Sequence, residues 1–121
     1  LGTMYDVGLG VTQDYKEAVK WYRKSAEQGN VNAQFNLGMK YAEGQGIAQN
    51  YKEAVRWLRK AAEQGDAEVQ YKFGDMFIRG MLGTADYEEV AELFRKAAKQ
   101  GHAKAQDSLE KMIRAGSVII G

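Results

Sequence analysis

The chain has 121 residues, 45% apolar and 27% charged, a size and balance that suit one globular array with a real core. Seventeen basic against sixteen acidic residues leave a formal charge of +1, too little for a global field that would grip nucleic acid or an anionic membrane. The absence of cysteine excludes a disulfide framework and thiolate chemistry, and no run approaches the ~20 apolar residues that a membrane-spanning helix needs.

Reading in chain order, the same landmarks return. Leu1-Gly2, Leu37-Gly38 and Phe73-Gly74 are 36 residues apart, as are Tyr15, Tyr51 and Tyr87, and Gly29, Gly65 and Gly101. The stretch "DYKEAVKWYRKSAEQG" at 14–29 matches "NYKEAVRWLRKAAEQG" at 50–65 in 12 of 16 positions. The chain therefore divides into a partial copy (1–32), two full copies (33–68 and 69–104) and a half copy (105–121), together one repeat array. Because Leu1, not Met, stands first, we expect further sequence upstream.

Each copy predicts two helices. A helix here called B starts after Asp14, Asn50 or Asp86, with Glu17, Glu53 or Glu89 three residues on, a capping-box-like pairing. Gly29, Gly65 and Gly101 close it in a position suited to a left-handed residue. Helix A follows at once behind Asn30 or Asp66 as N-cap and runs from about Val31 to Glu43, with Ala33, Leu37, Gly38 and Tyr41 on one face. Gly44 and Gly46 end it. Helix B carries Tyr51, Ala54, Val55, Trp57, Leu58, Ala61 and Ala62, a stripe too wide for one neighbour, while Lys52, Arg56, Arg59, Lys60 and Glu63 face outward. Stacking of successive pairs buries such a stripe, which explains why the chain repeats itself.

The motifs Ala33-x-x-x-Leu37-Gly38-x-x-Tyr41-x-x-Gly44-x-Gly46 and Trp57-x-x-Lys60-Ala61-Ala62-Glu63-x-Gly65 resemble a Sel-one-like repeat, and the resemblance spans essentially the whole chain. The tetratricopeptide repeat is similar, but its period is about 34; the extra residues here fall in the Gly44-x-Gly46 loop. The loop proline common in such repeats is Thr12, Ala48 or Thr84 here, and "RGMLGTADY" displaces the second glycine, so the third loop is expected to differ. The resemblance implies an all-α, right-handed superhelical solenoid of antiparallel helix pairs. It also implies a non-enzymatic scaffold or adaptor of a bacterial cytoplasm or periplasm, or of a eukaryotic assembly, that binds a protein or peptide without cofactor.

By the same resemblance, the outer face of helix A lines a concave groove. On the helix A that begins near Val31 that face holds Asn32, Phe35, Met39, Ala42 and Glu43; on the next helix A it holds Glu68, Tyr71, Asp75, Ile78 and Arg79. The apolar members, set among Asn32, Asp75 and Arg79, suit an interface with anchors and polar specificity groups. Packing of Phe35 and Tyr71 between adjacent A helices is the alternative.

Catalytic constellations are thin. His102 is the sole histidine and fills the N-cap slot of Asn30 and Asp66. Ser108 to Lys111 match the Ser-x-x-Lys pattern of penicillin-recognising enzymes, but the companion Ser-Asp-Asn and Lys-Thr-Gly motifs are missing. A hydrolase or binder of β-lactam-type ligands is thus a weak alternative. Gly8-x-Gly10 and Gly44-x-Gly46 follow helices and lack the third glycine of a phosphate loop, and no metal-ligand set exists. Arg95, Lys96, Lys99, Lys104, Lys111 and Arg114 make the C-terminal end locally basic without the interleaved aromatics that single-strand binders use, so nucleic acid is not the expected partner. In the half copy Glu110 replaces Gly38 and Gly74, and Asp107 replaces Phe35 and Tyr71, as a solvent-facing terminal helix requires. Val118, Ile119 and Ile120 are expected to fold back over the array's end, and self-association through array ends is a further expectation.

Overall fold

The computed structural model describes residues 14–84 and 86–116. They form six helices: α1 (Tyr15–Glu27), α2 (Val31–Glu43), α3 (Tyr51–Glu63), α4 (Ala67–Ile78), α5 (Tyr87–Lys99) and α6 (Ala103–Arg114). No strand occurs among the described residues. Leu1-Gly2, Gly8-x-Gly10, Thr12, Val118, Ile119 and Ile120, for which the sequence carries expectations, lie outside them. The chain divides into two compact units, residues 1–61 and 62–121, so that α3 runs across the boundary.

The helix ends are where local chemistry puts them. Asp14 accepts from the amides of Lys16 and Glu17, Asn50 from that of Glu53, and Asp86 from those of Glu88 and Glu89. At Asn50 the other half of the capping box is replaced: the Asn50 amide donates to the Tyr41 carbonyl at 2.9 Å, and the Glu53 carboxylate pairs with Arg56 at 3.0 Å. Asn30 and Asp66 cap α2 and α4 by accepting from Ala33 and Val69. Gly29, Gly65 and Gly101, at φ +93, +97 and +88, give each short turn the left-handed residue that a side chain would strain.

Packing inside each unit rests on a close approach of helix B to helix A. A Cβ added to Gly38 would stand 2.7 Å from Leu58 Cγ, and one added to Gly74 would stand 2.8 Å from Phe94 Cε1. Leu58 and Phe94 are fully buried, each contributing roughly 1.5–3 kcal/mol. Glu110, two periods after Gly38, is exposed on α6.

A second repeated device escapes the sequence reading. Gln34, Gln70 and Gln106 stand one period apart, and their side-chain amides donate to the carbonyls of Ala26, Ala62 and Ala98, near the C-terminal ends of α1, α3 and α5. These carbonyls belong to the set that a helix terminus leaves without a partner in the helix. Gln34 and Gln70 are only 6% and 4% exposed, so each amide replaces lost water at a position that looks like solvated surface.

The A–B loops differ as expected. After α2, Gly44 ends the helix at φ +70, and a Cβ on Gly46 would lie 2.2 Å from the Tyr15 carbonyl oxygen. After α4, Leu82 takes the Gly46 position and is buried, and the second left-handed glycine moves to Gly83. Tyr51 departs from its expected place in the buried stripe: its ring and that of Tyr87 are exposed. Tyr15, by contrast, is partly covered by Lys40, whose ammonium lies 5.0 Å from the ring centroid.

Candidate protein-binding faces

The helix A face of the first unit carries Asn32 and Glu43 exposed and Phe35 and Met39 half-buried. Ala42 is buried and drops out of the face. Lys40, which follows Met39, is only 6% exposed; it donates to Gln45 Oε1 at 3.1 Å while resting on Tyr15.

In the second unit Glu68, Ile78 and Arg79 are exposed, and Tyr71 and Asp75 are half-buried. Asp75 and Arg79 form an ion pair of 2.8 Å along the helix. Tyr71 has internal partners as well as an open edge. Its ring stacks on His102 with centroids 4.7 Å apart and tilts against Phe94 at 5.8 Å. These contacts, with α5 and the N-cap of α6, cover part of the ring and leave the rest facing outward.

His102 is the N-cap of α6. Its Nδ1 accepts from the Ala105 amide at 3.1 Å, which leaves Nε2 as the protonated nitrogen that donates to Glu68 Oε2 at 3.0 Å. Cap, stack and carboxylate bond use both nitrogens and one ring face, so no free base points at a nucleophile. Lys111 pairs with Asp107 at 3.1 Å and makes no hydrogen bond with Ser108. At the basic end, Arg95 pairs with Glu92 and Arg114 with Glu110, while Lys96, Lys99 and Lys104 are exposed. Among the described residues no cluster of His, Cys, Asp or Glu could hold a metal ion, and no helix is long and apolar enough to cross a membrane.

The family model of the Sel1 repeat matches residues 1–30, 31–66 and 67–102. The chain belongs to the Sel1 repeat family. Its repeat bounds fall two residues before those read from the sequence, within the same helix-turn-helix period. A solved structure of a protective antigen present in uropathogenic Escherichia coli strains, which displays an SLR fold, is 43% identical with a TM-score of 0.83. That similarity covers 95% of this chain and 25% of the antigen. A Sel1 repeat protein from Oxalobacter formigenes is 42% identical with a TM-score of 0.79, over 92% of this chain and 46% of its own length. This Sel1 repeat chain thus spans a quarter to just under half of these solved relatives and shares their solenoid fold. No match was found among curated proteins. Sel1 repeat proteins in general mediate protein–protein interaction and are not catalysts.

Proposed function

We propose that this Sel1 repeat array is a non-enzymatic adaptor that recognises a protein or peptide segment through the outer faces of its A helices. The first unit offers Asn32, Phe35, Met39 and Glu43 to that segment, and the second offers Glu68, Tyr71, Asp75, Ile78 and Arg79. The observation that carries the reading is Ile78: a branched apolar side chain left 47% exposed beside the Asp75–Arg79 pair. An apolar anchor rimmed by a charged pair is the arrangement that excludes water around a hot spot. Membership of a family that generally binds proteins supports the same reading.

Because Tyr71 also stacks on His102, Tyr71→Ala mixes a folding effect with a binding effect. Ile78→Ala and Arg79→Ala are cleaner probes. An interactor captured by the array and identified is titrated against each variant by calorimetry. Ile78→Ala is expected to weaken binding by about 1–3 kcal/mol with the melting temperature unchanged. If both variants bind as the parent does, the helix A face is not the recognition surface.

A further inference from the structure

One side-chain cluster in the first unit is rich in hydrogen-bond donors and poor in acceptors. Arg23 of α1 donates from Nη2 to the Tyr41 hydroxyl at 2.5 Å, with its guanidinium 5.6 Å from the Tyr41 ring centroid. The guanidinium of Arg56 on α3 is 4.8 Å from the Trp57 ring centroid, and the Lys60 ammonium is 4.9 Å from it. Arg56 titrates above its ordinary value; the Glu53 hydrogen bond is the main cause, desolvation opposes it, and the charges of Glu53 and of nearby Tyr41 add to it. Tyr41, bonded to Arg23, also lies beside α3: its carbonyl accepts from the Asn50 amide at 2.9 Å, and Gly38, three residues earlier, packs against Ala54 and Leu58. The indole N–H of Trp57 is buried and has no acceptor. Three cations and an orphaned N–H thus gather around two aromatic rings, with Glu53 the carboxylate bonded among them.

The repeats supply their own controls. One period after Tyr41 stands Phe77, and one period after Trp57 stands Leu93, both buried. Packing at these positions is satisfied without a hydroxyl and without an indole N–H, so the fold does not require either polar atom. Charge follows the same division: α1 and α3 each carry four Lys or Arg against two Glu, whereas α5 carries three of each sign. An unsatisfied buried donor costs about 1–3 kcal/mol, a cost that an incoming acceptor would remove.

We propose that the Arg23–Tyr41–Arg56–Trp57–Lys60 cluster is a docking site for an acidic segment of a protein partner, taking one or two of its Asp or Glu carboxylates. This is a second surface, independent of the helix A faces. Carboxylates fit better than a phosphodiester chain. Glu17, Glu27, Glu53 and Glu63 are interspersed with the cations of α1 and α3, and they repel a continuous polyanion while leaving room for separate charges. Arg56 and Lys60 are exposed, with long rotatable stems, so both can turn to an incoming carboxylate, and their movement changes the surroundings of the Trp57 ring.

The two tryptophans of the chain give two indole signals in a proton–nitrogen correlation spectrum, and Trp57→Leu identifies which belongs to Trp57. The isotope-labelled full chain is titrated with an end-capped hexapeptide of alternating Asp and Gly, with its Asn–Gly counterpart, and with single-stranded oligothymidylate. A saturable shift of the Trp57 signal by the Asp peptide alone is expected. Arg23→Gln and Lys60→Gln should each weaken that binding by about tenfold. Tyr41→Phe, for which Phe77 is the precedent, should weaken it with no loss of melting temperature. The proposal is overturned if the Asp peptide gives no saturable shift, if the Asn peptide shifts the signal equally, or if Arg23→Gln binds as the parent does. Oligothymidylate binding as tightly as the Asp peptide would mean that the site reads negative charge alone, and the acidic-segment assignment would be lost. None of these outcomes depends on Ile78 or Arg79.

Discussion

Gly38→Ala sets two known effects against each other, and the structure decides the sign. In a helix interior the exchange by itself gains about 1 kcal/mol, since alanine loses less backbone freedom on folding than glycine does. Here the new methyl would meet Leu58 Cγ at 2.7 Å, Leu58 Cδ2 at 3.0 Å and the Ala54 carbonyl oxygen at 3.2 Å. Non-bonded carbons rest at about 3.5–4.0 Å, so Leu58 must retreat by roughly 1 Å. Leu58 is fully buried, and the Ala54 oxygen belongs to the backbone of α3, so neither yields without moving the helix. Overpacking of this kind costs about 1–3 kcal/mol. With a backbone atom in the contact the upper half of that range applies, and the net expectation is a loss of about 1–2 kcal/mol. Urea unfolding followed by far-ultraviolet circular dichroism measures it, and an unchanged slope shows that the same surface unfolds. Glu110→Ala is the companion: it changes the equivalent position of α6, where no helix B follows among the described residues, and should stay within about 0.5 kcal/mol. If Gly38→Ala is as stable as the parent or more so, propensity governs this position and the close-approach argument fails.

Gly74→Ala meets a ring instead of backbone, so Phe94→Leu in the same chain should recover part of its loss, read as a rise in urea midpoint over the single variant. Gly46→Ala combines φ +79 with a methyl 2.2 Å from the Tyr15 carbonyl, and melting curves should show a loss above about 2 kcal/mol. Gln70→Leu removes the buried side-chain donor to the Ala62 carbonyl, which keeps the Gly65 amide as a partner, and should cost about 0.5–1.5 kcal/mol by chemical denaturation, whereas the same change at exposed Gln106 should cost less. His102→Asn keeps a cap of the Asn30 kind but loses the Tyr71 stack and the Glu68 bond; it should therefore unfold at a higher urea concentration than His102→Ala, which loses the cap too. Ester, phosphoester and β-lactam substrates should turn over at the buffer rate, and any activity abolished by Ser108→Ala would contradict the adaptor reading.

The period, the bounds of the helices, the caps and the recurring glycines were legible in the sequence because each depends on groups a few residues apart or on a position that recurs. A short oxygen three residues before a free amide, or a glycine where φ must be positive, means the same wherever it stands. Side chains that meet across helices were not legible. Tyr41 and Phe77 read as one apolar position, and only the tertiary structure shows that the extra hydroxyl faces Arg23. Gln34 and Gln70 read as surface until the fold removes their water and hands them helix-end carbonyls. Tyr71 kept two readings open, and the rings of His102 and Phe94 showed how much of it packing uses. A repeat determines that successive copies present equivalent surfaces, since that is what stacking requires. Which polar atoms those surfaces bring together is decided by the individual residues that differ between copies, and their effect exists only at the contact.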